Sequence, residues 1–332
     1  MTLSGAKKRC LSCKEPMQRW GKTPQGKQRW RCASCKDSGI KSRDDHREKK
    51  RWSLFIKWLT SKWSLEDFAE QERVDTRTIS RWFEPFWNTV PQPLPVTYVP
   101  RILIIDGTVL LRGVLTLLIA SDGDTGRPLF WMPVIRENAE AWEQFLDVFH
   151  AHGAPDVVVC DAQKGLLKAL GIVFPGVLVQ RCMTHVIRQA KGWLTQHPKT
   201  KAGRELLALV LLLSGIRTIR QKRRWIRRFR SWRRRHDKFL RERTTAVSGR
   251  SWYTHRVLRG VRSLLTNASP DLFRFVRDQS IPKTSNIVEG GVNARLKELI
   301  RCHRGMPLQK QLVMCCWYLA KRQGQKPTLN VY

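Results

Sequence analysis

Two aspartates in this 332-residue sequence each close a run of apolar residues: Asp106 follows residues 102–105 (ILII) and Asp161 follows residues 157–160 (VVVC). Short apolar runs bounded by turn residues read as buried strands. A carboxylate at the end of a buried strand is costly unless it is paired or meets a cation. Two such positions could together hold a cation; the plain alternative for each is an Asp that caps the following turn. A second constellation is thiol-based. Cys10 and Cys13 form one CxxC pair and Cys32 and Cys35 another, eighteen residues apart. Two thiolates two residues apart can share one tetrahedral ion and the second pair closes the site, which predicts one structural Zn²⁺ with no open position for chemistry.

The elements that must position these residues follow in order. Between the two thiol pairs, Gly21, Pro24 and Gly26 supply the turn of a hairpin, so residues 1–40 read as a zinc ribbon. Residues 41–51 read as a charged linker, and a helical pattern starts at Trp52 with Leu54, Phe55, Trp58 and Leu59 on one face. Ser64 with Asp67 forms an acidic variant of the capping box. A break at residues 73–75 precedes a second short helix, which fits a helix-turn-helix with Arg77, Thr78 and Arg81 exposed toward bases and phosphates. A plain helical hairpin is the alternative. Pro85 and the Pro-rich residues 91–95 end this unit, so residues 41–98 hold the DNA-binding segment and its linkers.

Strands are then expected at 101–108, 113–120 and 127–135, with Asp122 and Asp124 as turn residues between the last two. An amphipathic helix at 137–150 carries Trp142, Phe145, Leu146 and Phe149, and the strand ending at Asp161, a helix and a further strand at 176–179 follow. A three-strand meander followed by strand, helix and strand implies a mixed α/β sheet with flanking helices. Ligand sites in such sheets sit at the carboxyl ends of strands, where Asp106 and Asp161 both fall.

Charge narrows the partners. Lys plus Arg number 62 against 27 Asp plus Glu, a formal net charge of +35. Such an excess attracts polyanions, nucleic acid foremost. Residues 217–243 contain fourteen Lys or Arg, with Trp225, Phe229, Trp232, His236 and Phe239 recurring at helical spacing. An aromatic stripe therefore faces a core, and the basic faces, Arg223, Arg224, Arg227 and Arg228 among them, are left to track phosphates. Residues 250–255 (RSWYTH) could either stack on DNA ends or pack internally. The longest apolar run is too short to span a bilayer. No apolar stretch follows the N-terminal charges, and nine cysteines do not suggest a disulfide framework, so a cytoplasmic, nucleoid-associated location is expected.

Four blocks resemble Mutator-like DDE transposases, a group that includes many bacterial insertion-sequence enzymes: residues 104–108 (IIDGT), 158–166 (VVCDAQKGL), 179–185 (VQRCMTH) and 284–297 (TSNIVEGGVNARLK). The resemblance covers about residues 100–320 and implies an RNase H-like core in two parts, 99–190 and 282–325, around an all-helical insertion at 191–281, with a tail at 326–332. It implies that Asp106, Asp161 and Glu289 are the catalytic acids. Three carboxylates are what two Mg²⁺ ions need to clamp the attacking and leaving oxygens at phosphorus. Glu289, Asn293 and Lys297 share one helix face at i, i+4 and i+8, which places Asn293 and Lys297 toward DNA. Cys182 and His185 match the family's C-x2-H signature; a structural or active-site supporting role and a second zinc site are both open readings. The expectation is a transposase that binds element ends and target DNA as a homodimer, cleaves strands and joins 3′-hydroxyls. A non-catalytic DNA-binding regulator and a nuclease that cuts without joining are the alternatives.

Overall fold

A computed structural model describes residues 9–10, 13, 15–40, 43–285 and 292–325. The chain divides into two compact units, Met1–Asn88 and Thr89–Tyr332. In the first, β1 (Met17–Lys22), β2 (Gln28–Cys32) and β3 (Ser38–Ile40) form an antiparallel sheet in that order. Gly21 and Gly26 adopt φ of +62° and +77°, the left-handed backbone that the irregular first strand and the turn after it require. Three helices follow: α1 (Arg43–Leu59), α2 (Leu65–Gln71) and α3 (Thr76–Trp87). Ser64 and Asp67 form the expected reciprocal capping box on α2, and Asp75 caps α3.

Two readings of this region need correction. Helix α1 begins at Arg43, inside the stretch read as linker. Lys, Arg and Glu are good helix formers and let a helix nucleated at the apolar turns run back through them. Pro85 lies inside α3 rather than ending it. The following turn is held by packing: Phe86 stacks on Phe55 at 4.9 Å between centroids and Trp87 meets the same ring edge-on at 5.1 Å. Aromatic burial outweighs the single backbone bond that proline removes.

The second unit is a mixed α/β structure around a five-stranded sheet. Its strands are β4 (Ile102–Leu111), β5 (Leu115–Asp122), β6 (Pro128–Val134), β7 (Val157–Cys160) and β8 (Leu178–Arg181), in the order β6-β5-β4-β7-β8. The β4-β5-β6 meander is antiparallel, whereas β4, β7 and β8 run parallel. Asp122 serves the turn as expected: its Oδ1 accepts the N–H groups of Asp124 and Thr125 at 2.9 and 3.2 Å. Helices α4 (Ala139–His150) and α5 (Lys164–Val173) cover one face. There Leu103, Ile105, Leu118 and Ala120 pack against Trp142, Phe145, Leu146, Phe149, Leu166 and Leu170.

After β8 come α6 (Met183–Leu194), α7 (Lys201–Leu212), α8 (Ile219–Arg235), α9 (Asp237–Leu240), a hairpin of β9 (Arg243–Thr245) and β10 (Ser251–Tyr253), and α10 (Arg256–Ala268). The hairpin corrects the expectation of an all-helical insertion. Thr244, Thr245, Trp252 and Tyr253 favour extended backbone, and Gly249 at φ +78° closes the turn. The aromatic stripe is also shorter than its spacing suggests. Trp225, Phe229 and Trp232 are buried along α8, but the helix stops at His236, and Phe239 stacks on His255 at 3.7 Å. Residues 250–255 pack internally to this extent: the Arg259 guanidinium lies 3.5 Å over the Tyr253 ring, and His255 meets Glu242 at 3.0 Å. The chain closes with α11 (Ala294–Cys302) and α12 (Leu308–Arg322), the latter packing on β4 and β6.

Trp225 and Trp232 tie α8 to α7 by donating their indole N–H groups to the carbonyls of Leu209 and Ala202 at 2.8 and 3.0 Å. Trp232→Ala would leave a cavity and strip the Ala202 carbonyl of that donor. It is expected to lower the stability of this unit by about 3–5 kcal/mol, read as a lowered denaturant midpoint.

Candidate functional site

Asp106 is not at the end of β4 but within it, because the antiparallel ladder with β5 continues to Leu111. Only the parallel ladder stops early. Its last pair from the β4 side is Ile104 with Val159, and continuing that register sets Asp106 beside Asp161, the residue after the end of β7. Ile105 belongs to the core beneath α4 and α5, so strand alternation turns Asp106 to the opposite face.

Each carboxylate is fixed by short-range bonds. Asp106 is 6 % exposed. Its Oδ2 accepts from Asn293 Nδ2 at 2.6 Å and its Oδ1 from the Gly107 N–H at 2.9 Å. Asp161 Oδ1 accepts the Gln163 N–H at 3.1 Å. That bond spans Ala162, which takes a left-handed φ of 58°. Such backbone costs an L-residue about 1–2 kcal/mol, strain of the kind that collects at functional sites. Burial pushes the Asp106 carboxyl above the usual carboxylate range and Asp161 adds to the push, while His185, Lys297 and Asn293 oppose it.

A third described carboxylate lies near the Asp161 turn, on the α4/α5 face of β4 and opposite Asp106, and sequence patterning did not find it. Glu137 precedes the Asn138 N-cap of α4 and is half-buried. Its Oε2 accepts from Gln163 Nε2 at 2.6 Å. Burial and then Asp161 raise its carboxyl; Gln163 and His185 pull it back. The one available signal was Gly107, since a glycine within a strand marks a close approach.

Asn293 does not face outward. It is fully buried and donates to Asp106, while its Oδ1 has no partner among the described residues. Lys297, one turn along α11, is exposed. Cys182 occupies the N-cap of α6, and its Sγ accepts from the Ser285 N–H and Oγ at 3.4 and 3.3 Å. Burial raises the Cys182 thiol, but the His185 and Ser285 bonds outweigh it and leave it lowered. The pair thus ties α6 to the segment entering residue 286. Glu289 lies outside the described residues.

Beside Asp161 a groove of about 890 Å³ opens between α5, α6 and α10, with Lys164, Arg181 and Arg188 on its walls. Elsewhere in this unit, Arg223, Arg224, Arg227 and Arg228 are exposed on α8. Arg223, Arg224 and Arg227 join Arg220 and Arg230 along a surface depression of about 920 Å³. In the first unit Arg77 and Arg81 are exposed and Thr78 is half-buried, its N–H held by Asp75. The thiols of Cys10, Cys13, Cys32 and Cys35 lie within 4.8 Å of one another, and among the described residues this is the only group of three or more ligand-type side chains so gathered. It could hold a structural zinc ion.

These features define a mixed α/β protein with Asp106 and Asp161 where its parallel strands meet and an arginine-rich helix, α8, in the same unit. A family model described as "Transposase, Mutator family" matches residues 114–307, more than half of the chain. The chain belongs to the Mutator family of transposases. It is also similar to a probable transposase for an insertion sequence element of Corynebacterium diphtheriae, 24% identical over 208 residues. That match covers 58% of this chain and 59% of the relative, so the chain spans well under two thirds of the length of the curated relative. Among the described residues no helix is long and apolar enough to cross a membrane.

Proposed function

We propose that the protein is a DNA transposase whose second unit is an RNase H-like catalytic core, and that it cleaves element ends and joins their 3′-hydroxyls to target DNA. The observation that carries this reading is the juxtaposition of Asp106 and Asp161 where the parallel β4-β7 ladder ends. The strand order, with an antiparallel meander leading into parallel strands, supports the fold assignment. In this reading Glu289, which the sequence places between Ser285 and α11, is the third acid.

The donor set is all oxygen, and the unpartnered Asn293 Oδ1 beside it offers a further neutral oxygen. Such a set suits hard Mg²⁺ better than zinc. Asp106, Asp161 and Glu289 would hold it, and a bound Mg²⁺ would supply Lewis-acid activation of water and of the 3′-hydroxyl at phosphorus. The chain's own groups do the rest. Asn293 fixes the Asp106 rotamer, the Gln163 turn fixes Asp161, and Lys297 brings positive charge toward the scissile phosphate. Lys164, Arg181 and Arg188 would guide the strand to Asp161 along the groove.

The test is a cleavage and joining assay with purified protein, labelled element ends and Mg²⁺, with Asp106→Ala alongside. Joined products lost in the variant support the reading. Cleavage without joining favours a nuclease, and DNA binding without Mg²⁺-dependent chemistry leaves a regulator.

Binding is assigned to the helix-turn-helix of α2 and α3 through Arg77, Thr78 and Arg81, to the ribbon, and to the outer face of α8. Two ends must be joined, so a homodimer is the minimal assembly. Replacing Arg223, Arg224, Arg227 and Arg228 together by Ala is expected to weaken DNA binding without altering sequence preference. The slope of log K against log salt should fall by up to about 0.9 for each phosphate that is no longer neutralised. An unchanged slope would remove α8 from the DNA interface.

A further inference from the structure

We infer that the groove beside Asp161 receives a DNA strand in unpaired form, with one base stacked on Trp193. This rests on the DNA-processing reading above. It specifies the form of the strand and adds a residue that belongs to none of the four blocks on which the family resemblance stands.

The first support is the path of the groove. The Cys182 N–H donates to the Cys160 carbonyl at 2.7 Å, so α6 starts where β7 ends and Asp161 follows. Trp193 is eleven residues on from Cys182, in the last turn of the same helix, roughly 16 Å along its axis. Asp161 and Trp193 both line the one groove of about 890 Å³. A strand with a phosphate at Asp161 can therefore run along α6 to the indole.

The second support is the state of the indole. Trp193 is 43 % exposed, and its side chain makes no hydrogen bond or ring contact among the described residues. It is braced by α10 instead: a Cβ on Gly260 would meet its Cζ3 and Cε3 at 3.6 and 3.7 Å, ordinary contact. A single exposed apolar side chain needs no explanation by itself. This one stands in a cationic groove, and basic walls with an aromatic platform are how proteins hold single strands.

The third support comes from the walls. Lys164, Arg181 and Arg188 form no ion pair among the described residues, and Asp161 is the only carboxylate among the described residues of the lining. The Arg181 Nε is buried and has no partner among the described residues. Buried polar atoms are nearly always satisfied, and a phosphate oxygen would satisfy this donor. Near the indole the lining also offers neutral groups. Gln189 lies one turn before Trp193 and Ser263 about one turn after Gly260, and neither side chain has a hydrogen-bond partner among the described residues. An amide or hydroxyl both donates and accepts, so it can meet the edge of any base. A base inside a duplex is closed off by pairing and stacking; an unpaired base can meet the indole.

The experiment is DNA binding by the full-length, zinc-loaded protein without divalent cation, for the parent, Trp193→Ala and Trp193→Phe. The probes are a blunt duplex and the same duplex with a short unpaired tail that carries an aminopurine base as stacking reporter. Trp193→Ala is expected to weaken the tailed probe by about tenfold in fluorescence anisotropy, with a much smaller loss for the blunt duplex. Aminopurine quenching by the parent should vanish in Trp193→Ala and survive in Trp193→Phe. Equal loss on both probes, or none on either, overturns the inference, as does a parent that binds both without quenching. A change of oligomeric state in Trp193→Ala without DNA, read by light scattering, would give the indole to a contact between copies and overturn it too. If the parent binds neither probe, the DNA-processing reading fails and the inference with it.

Discussion

Asp106→Asn is expected to abolish strand cleavage and joining while the metal-free variant melts no lower than the parent. The two halves of this result have different causes. The side chain is 6 % exposed, and its carboxyl is pushed above the usual carboxylate range first by burial and then by Asp161. A group whose folded pKa is raised works against folding once ionised, so near neutral pH this carboxylate costs stability. The cost fades as pH falls through the folded pKa toward the unfolded value near ~4. Asn carries no charge at any of these pH values and keeps the shape. Its amide oxygen can still accept from Asn293, which is 2.6 Å from Asp106 Oδ2 in the parent. The variant should therefore keep its packing and escape the burial penalty, which offsets the one acceptor it loses at the Gly107 N–H.

The chemistry should respond in the other direction. Charge stabilisation by a bound metal supplies several kcal/mol to a phosphoryl transition state, so losing its central carboxylate should cost roughly three orders of magnitude in rate or more. Melting curves without and with added Mg²⁺ separate the effects. The parent should gain thermal stability with Mg²⁺, as any ligand of the folded state requires, and Asp106→Asn should not. Mg²⁺-dependent cleavage in the variant within tenfold of the parent would remove Asp106 from the chemistry.

Much of this centre was readable because burial and strand pairing leave strong local patterns. The apolar runs before Asp106 and Asp161, the cap at Ser64 and the stripe of Trp225, Phe229 and Trp232 all became the elements their spacing implies. What was not readable depends on partners. The length of β4 past Asp106 is set by β5, which continues to pair with it, and not by the residues of β4. Glu137 reaches Gln163 through the β6-α4 turn, and nothing periodic marks a residue just before an N-cap. Asn293 reads as a surface position from helical register alone, yet burial under the sheet gives it to Asp106. The β9-β10 hairpin is only three residues per strand, too short to interrupt a helical pattern in composition.

Cys32→Ser is expected to release one zinc ion per chain and unfold the ribbon, while the melting transition of the second unit stays where it was. The ribbon has very little else to fold around. Its three strands have six, five and three residues, and among the described residues its buried core is Cys10, Met17 and Cys32, with Cys13 and Trp30 packed against them. Segments of about 40 residues seldom fold without a metal or a disulfide, because they bury too small a share of their surface. The sulfurs are placed for a metal: Cys10 lies 3.4 Å from Cys35, and Cys13 lies 3.4 and 3.5 Å from Cys32 and Cys35. A tetrahedral zinc with bonds of about 2.3 Å needs sulfurs roughly 3.8 Å apart, a small outward adjustment. The thiols also differ in acidity. The Cys35 N–H helps lower the Cys32 thiol to about 6. The Cys35 thiol is lowered by the Asp37 backbone but driven up to about 12 by the Cys10 and Cys13 thiols and by burial. Near neutral pH the four cannot all be thiolates without a cation, so zinc uptake should release protons and weaken as pH falls. Zinc binding in such sites is worth roughly 10–16 kcal/mol, far more than this core can supply, so binding and folding of the ribbon are one event. Zinc released to a chromophoric chelator, with limited proteolysis of the full chain, reads both parts. A Cys32→Ser chain that loses its zinc yet keeps a protease-resistant ribbon would show that hydrophobic packing alone folds it.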